Sequence, residues 1–161
     1  MPAFPPELAR AFAKMARHYV ASGNSGPEDH QAVAYASRVS IEQSLKSALE
    51  KSGYTEKEIR AHSHDLGELL RELGSCTVTE QVSSGAPQPV SASRLRGKTI
   101  HWQGGQVTLG SVIDSDETSK FPGEYRYGQP PTDYPAEVLA IAAQELANWV
   151  AGYWDTFARR Q

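Results

Sequence analysis

The chain is nearly devoid of cysteine: Cys76 is the only one in 161 residues. A single thiol cannot close an intramolecular disulfide, so the fold must rest on a packed core, and a reducing compartment is the expected address. An excess of positive charge is missing too. Lys and Arg number 16 against 19 Asp and Glu, a net charge of -3. Nucleic acid could therefore be held only by a local patch and not along an extended basic face. No apolar run approaches the roughly 20 residues that span a bilayer. The segment from Met1 to Pro6 has neither the basic start nor the apolar stretch of a signal peptide. These absences predict a soluble, cytoplasmic protein without a membrane partner. Apolar residues at 39% and charged residues at 22% are ordinary for one folded domain of this length.

Helical periodicity supplies most of the organisation. Pro6 opens a segment in which Leu8, Phe12, Met15 and Tyr19 recur at spacings of four, three and four, one apolar stripe expected to face the core; Gly23 ends it. Ser25 with Glu28 reads as a capping box, and Pro27 suits a first helical turn. The second helix then runs to about Ser52, with Ala34, Ile41, Leu45, Ala48 and Leu49 on one side and Gly53 as its stop. A short charged turn covers Thr55 to Arg60. A third helix is predicted from about His64, capped by Ser63, with Leu66, Leu69, Leu70 and Leu73 inward and Gly74 at its end.

Cys76 to Ser93 is rich in Ser, Pro, Gly and Val without helical period, which predicts a surface loop. Gly104-Gly105 then signals a hairpin turn. The implied register pairs Trp102 with Val107 and Ile100 with Leu109 on an apolar face, and His101 with Thr108 and Gln103 with Gln106 on the other. The apolar face is expected against the helices, because two strands alone are marginal. Asp114 to Thr132 reads as a second loop. Asp133 is placed as the cap of a last helix from near Pro135, with Leu139, Ala142, Leu146, Val150, Tyr153 and Phe157 as its seam and Arg159 and Arg160 at the negative end of its dipole. The expected fold is mainly α: an antiparallel four-helix up-and-down bundle in one domain over 1–161, with a loop and β-hairpin insert at about 76–131.

Three constellations bear on chemistry. Arg38, Glu42 and Lys46 share one stripe of the second helix. They fit either a groove for an anionic ligand or a solvated face of weak ion pairs. His62-Ser63-His64-Asp65 lacks the further converging ligands that zinc needs, so no metal is expected there; His64 or Asp65 is placed at the free amides of the third helix instead. Arg94, Arg96, Lys98, His101 and Trp102 form a local basic-aromatic cluster, the kind that meets phosphates and bases. No arrangement of Ser, His and Asp assembles into a triad.

Ser40-Ile41-Glu42-Gln43-Ser44-Leu45-Lys46-Ser47-Ala48-Leu49, then Gly53, then His64-Asp65-Leu66 with Leu69-Leu70, resembles the HEPN superfamily, in which a Glu-x-x-Leu-Lys-Ala-like helix precedes a His-Asp-Leu helix start. Arg126-Tyr127, ahead of the last helix, is similar to that family's Arg-Tyr element. The likeness covers about Ala32 to Leu73 and Glu124 to Tyr153. It implies a helical bundle that dimerises and serves as a ribonuclease, a nucleotide-binding module or a companion of nucleotidyltransferases. In the ribonucleases an Arg is followed a few residues later by His; here Arg126 is followed by Tyr127-Gly128-Gln129-Pro130-Pro131-Thr132-Asp133, without one. The reading that results is a non-catalytic, cofactor-free homodimeric module that binds a nucleotide, RNA or another anion. Arg38, Lys46, His64 and Arg126 with Tyr127 would line its site, and Glu42 and Asp65 would orient them. The alternatives are a metal-independent RNA endonuclease built on Arg96 and His101, and a protein-partner-binding bundle using Trp149, Tyr153 and Trp154.

Overall fold

The computed structural model describes residues 1–23, 26–81, 83, 85–115 and 134–160. Helices dominate: α1 (Pro6–Ala21), α2 (Pro27–Lys51), the short α3 (Glu56–Arg60), α4 (Leu66–Gly74), the short α5 (Leu109–Asp114) and the last helix, α6 (Ala136–Gly152). Two small antiparallel sheets accompany them. In one, β1 (Cys76–Glu80) lies between β2 (Gln88–Ser91) and β5 (Ala158–Arg159); the other is the hairpin of β3 (Thr99–Trp102) and β4 (Gly105–Thr108). Single 3-10 segments cover Ala92–Gly97 and Trp154–Thr156. Arg126 and Tyr127, the proposed Ser25 and Asp133 caps and most of the second predicted loop lie outside the described residues.

Small side chains set the spacing of the main helices. Ala9, Ala13 and Ala16 of α1 are buried, and Ala16 meets Val33, Ala36 and Ala140 in one cluster. Ser40 Oγ of α2 donates to the Ala9 carbonyl at 2.7 Å. Ala16 beside Val33 and Ala9 beside Ser40 make α1 and α2 antiparallel. Ala140 at that end, and Trp154 and Asp155 against Lys51 at the other, make α6 run in the sense of α2. In contrast, α4 begins at Arg38 and Glu42 and ends beside Tyr54, where Glu72 Oε1 accepts the phenol proton at 2.9 Å. It therefore advances toward the same end as α2, a departure from strict alternation.

The first helix forms where it was predicted but shows the other face. Leu8, Met15 and Tyr19 are 40%, 49% and 38% exposed, and Phe12 is half-buried. Ala9, Ala13, Ala16 and Val20 repeat the same four-three-four spacing, so two apolar stripes adjoin on this helix. The alanine stripe wins the interior because it admits the backbones of α2 and α6 more closely. In α2, Ala34, Ile41, Leu45, Ala48 and Leu49 are all buried as expected. Its first turn is closed by Asp29, whose Oδ2 accepts the Gly26 amide at 3.2 Å.

Four other expectations are corrected. The third helix starts two residues late, at Leu66: Asp65 and not Ser63 caps it, its Oδ1 accepting the Glu68 amide at 3.0 Å, and Ser63 sits at φ +53°. Cys76 to Ser93 is mainly a strand pair, not a loop. Cys76 and Val78 face the core in alternation, and Thr77↔Ser91 and Val78↔Val90 fix the register. The hairpin pairs Ile100 with Val107, His101 with Gln106 and Trp102 with Gly105, so it slides by two residues and keeps its faces. The turn falls on Gln103-Gly104, and the Trp102 ring folds over Gly104, where a Cβ would stand 2.5 Å from its Nε1. Leu109 leaves the strand for α5, whose cap is Thr108. Ile100 is fully buried and Trp102 and Val107 pack on the core, as expected.

Finally, the last helix stops at Gly152. Phe157 folds back edge-on to Trp149 at 5.6 Å, and Tyr153 stacks obliquely on Trp149 at 5.0 Å. Arg159 then pairs with Cys76 in β5 instead of closing a helix. Its amide donates to the Ser52 carbonyl at 3.1 Å, its guanidinium donates to Glu58 at 3.1 Å and covers the Tyr54 ring at 3.9 Å.

Candidate functional site

One face of α2 carries Arg38, Glu42, Lys46 and Glu50 at successive intervals of four. On an exposed helix these would be weak pairs. Here the side chains of Arg38, Glu42 and Lys46 are 0%, 6% and 6% exposed, so the solvated alternative is ruled out. Glu42 is the hub. Its Oε2 accepts from Arg38 Nη1 at 3.2 Å, and its Oε1 accepts from Lys46 Nζ at 2.7 Å and meets His64 Nδ1 at 2.8 Å. Arg38 Nη2 also donates to the His64 carbonyl at 2.7 Å. The reverse turn before α4, with Ser63 in the left-handed region, brings His64 back to the middle of α2.

The ladder continues to Glu50, which the sequence reading missed although it follows Lys46 at the same spacing. Its two oxygens accept the Ala3 and Phe4 amides at 2.8 and 3.0 Å. Phe4, itself buried, lies between Lys46 Nζ at 5.5 Å and the Arg60 guanidinium at 5.3 Å, both within reach of the ring quadrupole. Nothing in the N-terminal sequence marks this role beyond an aromatic flanked by prolines. The cluster is thus covered by Phe4 on the Lys46 side and open where His64, 44% exposed by its side chain, reaches the surface.

At the cluster two cations face one carboxylate, while Glu50 is taken by backbone amides. Removing such charges from water costs several kcal/mol each, repaid only when the pairs are close and hydrogen-bonded. The arrangement can hold α2 to the start of α4.

Of the seven site residues named from sequence, the structure unites Arg38, Glu42, Lys46 and His64. Asp65 is exposed and turned to its own helix as a cap. Arg126 and Tyr127 lie outside the described residues. The basic cluster of the insert is already paired: Arg94 with Glu80 at 3.0 Å, Lys98 with Glu145 at 3.3 Å, and Arg96 with Asp114. Arg96 sits in a 3-10 turn and His101 on β3, so no shared element aligns them. Trp149, Tyr153 and Trp154 pack against the chain's own core. Among the described residues no three His, Cys, Asp or Glu side chains gather as metal ligands, and no helix is long and apolar enough to cross a membrane.

No protein-family model, curated protein or solved structure matches the chain.

Proposed function

We propose that this protein is a HEPN-like, non-catalytic binding module of the cytoplasm that takes a nucleotide, RNA end or similar anion at the Arg38–Glu42–Lys46–His64 cluster. The observation that carries this reading is the convergence of two buried cations and a half-exposed His64 on one buried carboxylate. His64 is the group within reach of a ligand from solvent, and Lys46 and Arg38 supply the field behind it. Arg126 and Tyr127 join the site on the strength of the HEPN resemblance alone. In this reading the bundle core is α1, α2, α4 and α6.

The test is thermal unfolding of the intact protein against mono-, di- and trinucleotides and short RNAs. A ligand at 100 times its Kd stabilises by about 2.7 kcal/mol, on the order of 5–10 °C for a domain of this size. The shift should be selective and should vanish with His64→Gln, which leaves the buried Arg38–Glu42–Lys46 pairs in place. A flat panel sinks the nucleotide reading.

We further propose that the module is a homodimer joined through α1. Leu8, Phe12, Met15 and Tyr19 form a stripe that is its own complement about a two-fold axis. Antiparallel pairing sets Leu8 of one protomer against Tyr19 of its partner and Phe12 against Met15. A two-fold interface needs a self-complementary patch of this kind, and three of its four residues are left exposed by the fold.

A further inference from the structure

A cleft of about 550 Å³ opens at the far end of α4, away from His64, between that helix, the 3-10 turn Ala92–Gly97 and α5. Its walls carry Arg71 and Arg96, with Ser75, Ser93 and Asp114 between them and Leu70 at the base. Helix α4 faces it with Gly74, where an added Cβ would lie in ordinary van der Waals contact with Ser93 Cβ at 3.5 Å. Arg96 is held in position from two sides. Its Nη2 donates to Asp114, and α5 presses on its stem through Gly110. A Cβ at Gly110 would stand 3.0 Å from the Arg96 carbonyl oxygen and 3.4 Å from its Nε, so a side chain there would require Arg96 to give by a few tenths of an ångström. Arg71, which also lines the cleft, is exposed and makes no ion pair or hydrogen bond among the described residues, so its guanidinium donors are uncommitted there.

We propose that this cleft binds the phosphate of a small phosphomonoester, gripped between Arg71 and Arg96. Two arginines on separate elements suit a tetrahedral dianion, whose oxygens engage two forks at once; a planar carboxylate is satisfied by one. Among the described residues one carboxylate stands against two guanidiniums, a surplus of one positive charge in the walls. Asp114 is already spent on Arg96 and orients it. Among the described residues no aromatic ring lines the cleft, so the ligand's body is a short aliphatic one and not a stacked base. The site is separate from the Glu42 cluster and does not depend on the nucleotide reading.

The experiment is calorimetric titration of the full chain at fixed ionic strength with inorganic phosphate, glycerol phosphate and glycerate. Saturable one-to-one binding of the two phosphates is expected, with glycerate weaker. Arg71→Gln should weaken the phosphates about tenfold or more, the loss of a charge-assisted fork. Arg71 is exposed and without partners among the described residues, so this variant folds; Gly110→Ala, which displaces Arg96, should weaken binding in the same direction. Lys57→Gln, an exposed substitution of equal charge, should not. The proposal is overturned if no phosphate binds saturably, if glycerate binds as well as glycerol phosphate, or if Lys57→Gln has the effect of Arg71→Gln. Affinity that survives Arg71→Gln but disappears with His64→Gln would place the ion at the Glu42 cluster and equally overturn it.

Discussion

Glu42 joins Arg38 and Lys46 of its own helix to His64 of the turn before α4, and its loss would strand two buried cations. Glu42→Gln should therefore cost about 3–5 kcal/mol in denaturant unfolding, the range for breaking one partner out of a buried pair. A loss under about 1 kcal/mol, the scale of a surface pair, would show that Arg38 and Lys46 find other partners or water. Buried serines of the same helix have the opposite sign. The hydroxyls of Ser37 and Ser44 are buried with no hydrogen-bond partner among the described residues. Ser44→Ala removes an unsatisfied group without opening a cavity, so it should be neutral or raise stability by about 1 kcal/mol.

Two further residues predict a response to alkali. Burial pushes the Cys76 thiol above its ordinary 9.0 and the Tyr54 phenol above its ordinary 10.0. For both, the folded state favours the neutral form. The stability they contribute is thus complete below those ordinary values and is lost as pH rises through the raised ones. Unfolding free energy should fall as the pH climbs past about 9, and native Cys76 should react with iodoacetamide far more slowly than in the unfolded chain. Equal rates would mean that the thiol is not held in the core.

At the scale of elements, the turns decide where each piece points. Gly53 closes α2 at φ +102°, with open space where a Cβ would go. Gly53→Ala should then cost about 1–2 kcal/mol from the dihedral alone, read as a lower denaturation midpoint at unchanged slope. A changed slope would mean altered packing. The following α3 is capped by Thr55, whose amide donates to Glu58 at 2.7 Å, and that backbone bond, ahead of Arg159, holds the Glu58 carboxyl below its usual range. The same Glu58 fastens β5, so the short helix and the C-terminal strand support each other.

For the whole molecule, the exposed stripe of α1 is the prediction of consequence. In sedimentation equilibrium the protein should associate to a dimer, and Met15→Lys should return it to a monomer without lowering the monomer's thermal stability. Met15 is 49% exposed, so the substitution leaves the core alone. A monomer at all concentrations, or a dimer indifferent to Met15→Lys, would remove α1 as the interface.

Sequence periodicity by itself determined that α1, α2, α4 and α6 are helices, that Gly53 and Gly74 end two of them, and that Ile100 and Val107 share the inner face of a hairpin. Local backbone and side-chain preferences act over one or two turns and need no partner to be legible. The Arg38–Glu42–Lys46 stripe was visible for the same reason. Only the tertiary structure decided that this stripe is buried, that the alanine face of α1 and not its Leu–Phe–Met–Tyr face meets the core, and that Arg159 pairs with Cys76 in a strand. Each of these compares two locally equivalent choices, and the winner is set by contacts between residues dozens of positions apart: His64 with Glu42, Ala140 with Ala16, Arg159 with Ser52 and Glu58.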